Sequence, residues 1–295
     1  MRIAVITQGL SFLVTEISTR HLVGICESAP RNFLLNGQLR KPKPIRSLIR
    51  SHFPKQGTLK KFAMQHSIPY FLLHKNNDDE FNEWLRDLRP DAVLVYSMSK
   101  LLKPGSLSIP RLGFINFHPS LLPKYRGSNP WFWVFYFAEA ENGVTVHKID
   151  SGLDTGNILL QESFPIRFGA SKLEVVSQFE EQSRRLLPRL FELLSIGKVD
   201  GTPQRFSQDE VLAPEPSLTL LTSIKWDEWD VERAFHFLCG MLGEYPQLIA
   251  FEQADSRQRL SVTSYTKGST PPHHIVDEQL SLNCSNGRVF FEWEN

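Results

Sequence analysis

Short runs of apolar and β-branched residues recur along the first half of the chain, and segments with helical periodicity separate them. Such runs are typical of buried strands, and they predict strands at Arg2–Thr7, His21–Cys26, Ile68–Leu73, Ala92–Tyr96, Gly113–Phe117, Val144–Ile149 and Ile158–Phe164. Amphipathic spacing predicts helices at Thr58–His66, Asp79–Leu88 and Lys172–Ile196, and a further helix from Pro130 that is capped by Asn129. Strands that alternate with helices predict an α/β fold, a Rossmann-like, mainly parallel sheet with helices on both faces.

The crossover between the first two predicted strands is short. Only the residues of Gln8–Arg20 separate them. A connection between parallel strands ordinarily needs a dozen or more residues, usually with a helix. The pattern therefore leaves the topology at the start of the sheet open.

The last third of the chain has a different pattern. Residues 201–220 contain Pro203, Pro214 and Pro216 and predict a linker. Beyond it, apolar runs at Leu248–Phe251, Leu260–Val262 and Arg288–Glu292 predict a small, mainly β appendage. We therefore expect a main domain at residues 1–200, a linker at 201–220 and a small C-terminal domain at 221–295.

The composition is that of a globular protein, with 295 residues, 41% hydrophobic and 22% charged. The three cysteines, Cys26, Cys239 and Cys284, are far apart and form no disulfide or zinc pattern. No stretch approaches the ~20 apolar residues of a membrane span, and MRIAVITQGLSF has no long apolar core of a secretory leader. These features predict a cytoplasmic protein without a membrane partner.

The net charge of +1 hides an uneven distribution. Residues 28–77 contain ten basic residues and no acidic one, whereas residues 221–295 contain six basic and eleven acidic residues. The basic stretch is interpreted either as a surface for an anionic ligand such as phosphate or as an ordinary solvated face. This uneven distribution of charge favours a small phosphorylated partner near the N-terminal domain over a nucleic acid that spans both domains.

Common nucleotide and hydrolase motifs are absent from the chain. The turn after the first strand, TQGLSF, lacks both GxGxxG and GxxxxGK[ST], which argues against NAD and ATP binding by these routes. The chain also lacks GxSxG and HExxH.

The chemistry-bearing residues concentrate between Leu112 and Leu160. Asn116 and His118 lie two apart at the end of a predicted strand, so both point to the same face. In open α/β sheets, ligands bind at the carboxyl ends of strands, and Asp154 in the loop GLDTG could reach the same point. An amide, an imidazole and a carboxylate suit attack of an amine on a carbonyl carbon, although a lone histidine after a strand is more often structural.

The runs INFHPSLLPKYRG and GVTVHKIDSGLDTGNIL resemble the folate-dependent formyltransferases, closely over Asp91–Leu160 and in outline elsewhere. That family includes enzymes acting on methionyl-tRNA, glycinamide ribonucleotide and nucleotide-linked amino sugars. The resemblance implies that the chain transfers a formyl group from the co-substrate 10-formyltetrahydrofolate to a primary amine. The family's catalytic asparagine, histidine and aspartate fall on Asn116, His118 and Asp154.

The mechanism implied by the resemblance is direct attack of the amine on the formyl carbon, through a tetrahedral intermediate. Asn116 and a protonated His118 would stabilise the oxyanion, or His118 would instead take the proton of the amine. Asp154 would orient His118 and balance its charge. Neither a metal nor a covalent intermediate is required.

The resemblance also implies two sets of binding residues. The pterin ring would bind, largely through main chain, at Tyr96, Ser97, Met98, Glu141, Asn142 and Gly143. The acceptor would lie near Gln8, Pro119, Lys124, Tyr125 and Arg126. Arg126 has two readings, a contact to an acceptor phosphate or a structural salt bridge. His147 and the aromatic residues that follow Pro130 are interpreted as packing residues.

The acceptor is expected to be a 4-amino-deoxysugar linked to dTDP or UDP, as in O-antigen biosynthesis. The run NPWFW and the strand VTVHKID look more like the sugar-nucleotide enzymes, and the acidic segment 221–295 is a poor surface for tRNA. Methionyl-tRNA and glycinamide ribonucleotide remain as alternatives, and a non-catalytic binding module is a remote one. SIKWDEW resembles the start of the family's C-terminal region, which implies a possible homodimer.

Overall fold

A computed structural model describes residues 1–30, 58–207, 210–249, 259–268 and 280–294 of the chain. Within these residues one sheet has seven strands: β1 (Ile3–Thr7), β2 (Leu22–Ser28), β3 (Tyr70–Leu73), β4 (Ala92–Tyr96), β5 (Phe114–His118), β6 (Glu141–Lys148) and β7 (Ile158–Pro165). Their order is β3-β2-β1-β4-β5-β6-β7. The pairs among β1 to β5 are parallel, and β6 is antiparallel to β5. The predicted mainly parallel α/β sheet is confirmed.

Eight α-helices lie within the described residues: α1 (Phe12–Glu16), α2 (Thr58–Gln65), α3 (Asp78–Leu88), α4 (Pro104–Leu107), α5 (Pro130–Tyr136), α6 (Lys172–Ser195), α7 (Leu218–Thr222) and α8 (Val231–Met241). Short 3-10 helices occupy Trp226–Glu228 and Pro246–Leu248. A second, antiparallel sheet in the described chain has the order β8-β10-β9, formed by β8 (Arg259–Lys267), β9 (Ser281–Cys284) and β10 (Gly287–Glu294).

The start of the sheet, which the sequence left open, is a parallel pair. β1 and β2 pair in parallel, and the crossover between them holds a helix, α1, of only five residues. All five residues of β1 are buried, as expected for a central strand whose two faces are both covered. The short crossover is therefore compatible with the Rossmann-like arrangement.

The chain divides into two compact units, and each unit is formed by three separate segments of the sequence. Unit 1 comprises Met1–Ser128, Gly143–Ser163 and Phe179–Leu212, and unit 2 comprises Asn129–Asn142, Phe164–Gln178 and Ala213–Asn295. The predicted domain boundaries at residues 200 and 221 stay a prediction.

The core of unit 1 covers both faces of the sheet. On one face, buried side chains of the strands, of α3 and of the segment after β4 form a cluster: Ala4, Ile6, Cys26, Leu73, Phe81, Leu85, Val93, Val95, Leu102 and Phe114. On the other face, the ring centroid of Phe12 lies 5.4 Å from that of Tyr96 and 5.3 Å from that of Phe117. This packing holds the ends of β4 and β5 in place.

In unit 2, α5 begins as the sequence predicts, because Pro130 is its first residue and the Asn129 side chain accepts a hydrogen bond from the Phe132 amide. α5 packs on α8, a helix that the sequence analysis missed. Gly240 in α8 permits this contact, since a Cβ there would lie 2.3 Å from ring atoms of Phe135. The small antiparallel sheet confirms the predicted β appendage, although Leu248 lies in a 3-10 helix instead of a strand.

Candidate active site at the end of strand β5

The register between β5 and β6 brings polar side chains together in unit 1. Asn116 lies opposite His147, and His118 lies opposite Thr145. Side chains directly opposite on an antiparallel pair are neighbours on one face. Asn116 Nδ2 accordingly lies 3.2 Å from His147 Nε2. Phe117, between Asn116 and His118, turns to the other face and enters the core. The predicted pairing of Asn116 with His118 on one face is confirmed.

The contacts of His147 determine its tautomer. His147 Nδ1 lies 2.7 Å from the Lys148 carbonyl oxygen, which can only accept, so Nδ1 carries the hydrogen. Nε2 therefore has a lone pair in the neutral ring and accepts from the Asn116 amide. Burial, followed by the nearby His118, lowers the pKa of His147 to about 4. A neutral His147 thus fixes the orientation of the Asn116 side chain.

His118 is held in a similar way. Its Nε2 lies 3.0 Å from the Tyr125 carbonyl oxygen, so Nε2–H donates and the lone pair of the neutral ring is on Nδ1. Nδ1 lies 3.7 Å from Asp154 Oδ2, and the His118 side chain is only 4% exposed. The ring can therefore exchange a proton at Nδ1, beside a carboxylate.

Asp154 completes the group. Its backbone has a φ of 54°, in the left-handed region, and its Oδ2 accepts from the Gly127 amide at 3.0 Å. Its Oδ1 lies 3.7 Å from His147 Nε2. The carboxylate therefore faces both imidazoles, and the three predicted catalytic residues, Asn116, His118 and Asp154, lie together with His147. Their catalytic roles remain a proposal.

Among the described residues, His118, His147 and Asp154 are also the kind of group that could hold a metal ion. Their ligand atoms lie within 4.8 Å of one another, whereas ligands of a tetrahedral zinc with ~2.05 Å bonds lie about 3.3 Å apart. Asn116 donates to His147 Nε2 and Gly127 donates to Asp154 Oδ2. The group is thus arranged as a hydrogen-bonded site, and the expectation that no metal is required stays a prediction.

The loop after β5 is fastened to β6. Thr145 Oγ1 donates to the Ser120 carbonyl at 2.6 Å and accepts from the Leu122 amide at 3.1 Å. The Ser120 hydroxyl in turn donates to the Lys124 carbonyl at 2.7 Å. This network presents the Tyr125 carbonyl to His118. Of the residues predicted to bind the acceptor, Tyr125 is buried, Lys124 is exposed and Pro119 is half-buried.

Arg126, for which the sequence left two readings, is engaged in an ion pair. Its Nε donates to Glu210 Oε1 at 3.2 Å, and one terminal nitrogen pairs with Glu210 Oε2. The other terminal nitrogen donates to the Leu153 carbonyl at 3.3 Å, and the guanidinium lies 4.6 Å from the Phe206 ring centroid. The salt-bridge reading is therefore observed, and a contact with an acceptor phosphate remains untested.

The residues predicted to hold the pterin lie at the ends of β4 and β6. The Tyr96 ring stacks on Phe179 at 5.3 Å, and burial raises the pKa of its hydroxyl. Exposed Ser97 has a φ of 60° and donates to Gln8 Oε1 at 3.1 Å, and Met98 packs against the core. The structure therefore brings Gln8, a predicted acceptor residue, beside Ser97.

The other predicted pterin residues begin β6. Glu141 is exposed and Asn142 is 2% exposed. A Cβ at Gly143 would lie 2.6 Å from the Glu162 carbonyl oxygen, so packing against β7 requires glycine there. A role of these residues in holding the pterin remains a prediction.

Sequence reasoning missed two residues of this region, Gln204 and Glu210. Both lie in the predicted linker, and Gln204 Nε2 donates to the carbonyl of Asp154 at 2.8 Å. No local pattern could have found them, because their partners lie 50 and 84 residues away along the chain.

No helix in the described part of the chain has the length and apolar character needed to cross a membrane.

The sequence matches known formyltransferases. A family model described as "Formyl transferase" matches residues 31–191. A methionyl-tRNA formyltransferase of Deinococcus radiodurans is 31% identical over 233 residues, which cover 77% of this chain and 70% of that protein. One of Pelobacter propionicus is 34% identical over 165 residues, covering 56% of this chain and 52% of that protein. The chain thus matches about half the length of the second relative.

Solved structures share the fold. Glycinamide ribonucleotide transformylase 1 from Symbiobacterium toebii superimposes with a TM-score of 0.53 at 17% identity, covering 67% of this chain and 88% of that one. HypX from Aquifex aeolicus, solved with tetrahydrofolic acid, has a TM-score of 0.58 at 14% identity and covers 99% of this chain and 43% of its own. With the family model covering more than half of its residues, the chain belongs to the formyl transferase family, whose enzymes take the formyl group from formyl-tetrahydrofolate.

Proposed function

We propose that this chain transfers the formyl group of 10-formyltetrahydrofolate to the amino group of methionyl-tRNA. The choice of acceptor rests on the similarity to a methionyl-tRNA formyltransferase over 77% of the chain. It favours this acceptor over the nucleotide-linked amino sugar that the sequence pattern suggested. The activity of the whole protein is part of the proposal, since the matches span 70% and 52% of the two relatives.

The donor set of the site fits a formyl group and an amine. The formyl donor supplies an electrophilic carbonyl carbon. Asn116 Nδ2 carries two hydrogens, of which one binds His147, so the second is available to donate to the oxygen on which charge develops. His118 Nδ1 takes the proton of the attacking amine, because Nε2–H is already bound to the Tyr125 carbonyl. Asp154, 3.7 Å from Nδ1, stabilises the imidazolium that results. The imidazolium returns this proton to N10 of the folate as the bond between N10 and the formyl carbon breaks, and tetrahydrofolate leaves.

The surroundings of Asp154 support an acceptor with an apolar side chain. The positive charge of Arg126 is compensated by Glu210, which weakens the case for a diphosphate at this point. Leu153, next to Asp154 in the chain, and Phe206, whose ring lies under the Arg126 guanidinium, are 45% and 51% exposed. Exposed apolar side chains beside a reactive group suit a thioether chain better than a charged sugar nucleotide.

The basic stretch 28–77 is the segment that suits the polyanionic part of tRNA. Seven of its ten basic residues fall within residues 31–57, which lie outside the described residues. The predicted homodimer likewise stays a prediction.

The test is a panel of acceptors offered to the purified chain with 10-formyltetrahydrofolate. The acceptors are methionyl-tRNA, glycinamide ribonucleotide and the 4-amino sugars of dTDP and UDP, and the formylated products are measured by mass spectrometry. Formylation of methionyl-tRNA alone is the expected result, with loss of product in His118→Ala. Formylation of only the amino sugars would overturn the acceptor and keep the reaction, whereas no product with any acceptor would overturn both.

A further inference from the structure

The loop that carries Asp154 is held by a segment from much later in the chain. Gln204 Nε2 donates to the carbonyl oxygens of Asp154 and Gly156, each at 2.8 Å. One side-chain amide therefore bridges two carbonyls on either side of Thr155. The Gln204 side chain therefore spans the turn that carries the Asp154 carboxylate.

The same segment also reaches the loop that supports His118. The Tyr125 amide donates to the Val211 carbonyl at 2.8 Å, and the carbonyl of Tyr125 accepts from His118. Arg126 forms a bidentate ion pair with Glu210 and donates to the carbonyl of Leu153, the residue before Asp154. Gln204, Glu210 and Val211, which together we name the brace, thus contact both loops that present the site.

The contacts of the brace matter because the backbone of Asp154 has an unfavourable conformation that its surroundings must stabilise. A φ of 54° lies in the left-handed region, which is unfavourable for residues other than glycine and persists only where the surroundings impose it. The carboxylate must also stay 3.7 Å from each of two imidazole nitrogens. Small displacements at such a distance change the rate strongly, because reacting groups work only in a narrow range of geometry.

We propose that Gln204 is a positioning residue that acts on formyl transfer through Asp154, and that the brace is part of the active site. The proposal rests on the proposed function only in the choice of assay. Gln204 is assigned no contact with either substrate. Its effect is expected on the turnover rate, with little change in the KM for the folate or the acceptor.

A double-mutant cycle tests this coupling, with any acceptor of the panel that the wild-type chain formylates. Gln204→Leu keeps the approximate size of the side chain and removes both donated hydrogen bonds; it should lower kcat on the order of tenfold. In the Asp154→Ala background the same change should alter kcat less than about twofold, because the carboxylate it positions is gone. An equal loss in both backgrounds would overturn the proposal.

The matched control is Asn77→Ala. Asn77 also makes two side-chain hydrogen bonds to backbone, donating to the Leu72 carbonyl at 2.8 Å and accepting from the His74 amide at 2.9 Å. It lies in unit 1 at the start of α3, and none of its described hydrogen bonds involves the site. We expect Asn77→Ala to lower the thermal midpoint as Gln204→Leu does, yet to leave kcat within about twofold. If Gln204→Leu does not fold, Gln204→Glu takes its place.

Hydrogen exchange gives a readout that does not depend on activity. In Gln204→Leu, the peptide that covers residues 150–157 should exchange faster than in the wild type, and in Asn77→Ala it should not. Unchanged exchange of this peptide in Gln204→Leu would overturn the proposal even if the chain formylated nothing. Faster exchange with no formylation of any acceptor would leave the brace supported and the proposed function refuted.

Discussion

Asp154→Asn is the most informative change in this site, because it removes a charge and keeps the shape. The asparagine can still accept from the Gly127 amide through its oxygen, as the Asp154 carboxylate does at 3.0 Å. What it cannot do is stabilise a positive charge on His118. The variant therefore isolates the electrostatic contribution of the carboxylate to turnover.

The size of the effect follows from the geometry. The carboxylate lies 3.7 Å from His118 Nδ1, and the two side chains are 16% and 4% exposed, so solvent screens the pair only partly. At an effective dielectric constant of about 20, unit charges near this separation attract by about 4 kcal/mol. Because each ~1.4 kcal/mol corresponds to a factor of ten, the loss in kcat is at most on the order of 10³-fold. Local relaxation reduces this value, and we expect a loss of about 10²- to 10³-fold.

The assay measures kcat and KM separately with saturating 10-formyltetrahydrofolate. The control is Asp150→Asn, in the same loop. Asp150 is exposed and accepts from the Gly152 amide at 3.0 Å and from the Thr155 hydroxyl at 2.7 Å, and none of its described hydrogen bonds involves either imidazole. We expect Asp150→Asn to change kcat by less than about fivefold. A kcat in Asp154→Asn above one fifth of the wild-type value, or an equal loss in both variants, would refute the role of the carboxylate.

Two further predictions concern stability. Burial lowers the pKa of His147 to about 4 from the 6.5 of an unperturbed histidine, so the unfolded chain takes up this proton at a higher pH than the native one. The free energy of unfolding should therefore fall as the pH falls from about 6.5 towards 4, and urea titrations should show a smaller fall in His147→Gln; an identical pH dependence would contradict the neutral, buried imidazole. Phe132 is fully buried, with its ring 5.5 Å from that of Phe237, and Phe132→Ala should cost about 3–5 kcal/mol in denaturant unfolding. Phe137→Ala, at a residue 43% exposed, is the control and should cost under about 1.5 kcal/mol.

Much of the fold could be predicted because the elements have strong local patterns. The buried run of β1 and the amphipathic α6 are examples, and both lie within a residue or two of the expected bounds. α8 was missed because its sequence VERAFHFLCGM is largely apolar and follows a tryptophan-rich turn, so it resembles a strand as much as a helix. The strand predicted to begin at Leu248 was wrong at that residue, because Pro246 begins a 3-10 helix that includes Leu248.

The sequence alone determined which residues are candidates for the chemistry. Period-two spacing places Asn116 and His118 on one face of β5, and the loop GLDTG displays Asp154, because these relations depend on neighbours in the chain. Only the tertiary structure decided how those groups are held. The pairing of Arg126 with Glu210 and the hydrogen bonds of Gln204 to the loop of Asp154 both join segments that are distant in the sequence. Contacts between residues 48 to 84 apart leave no periodicity in the sequence, so they exist only once the sheet has set the distances between its loops.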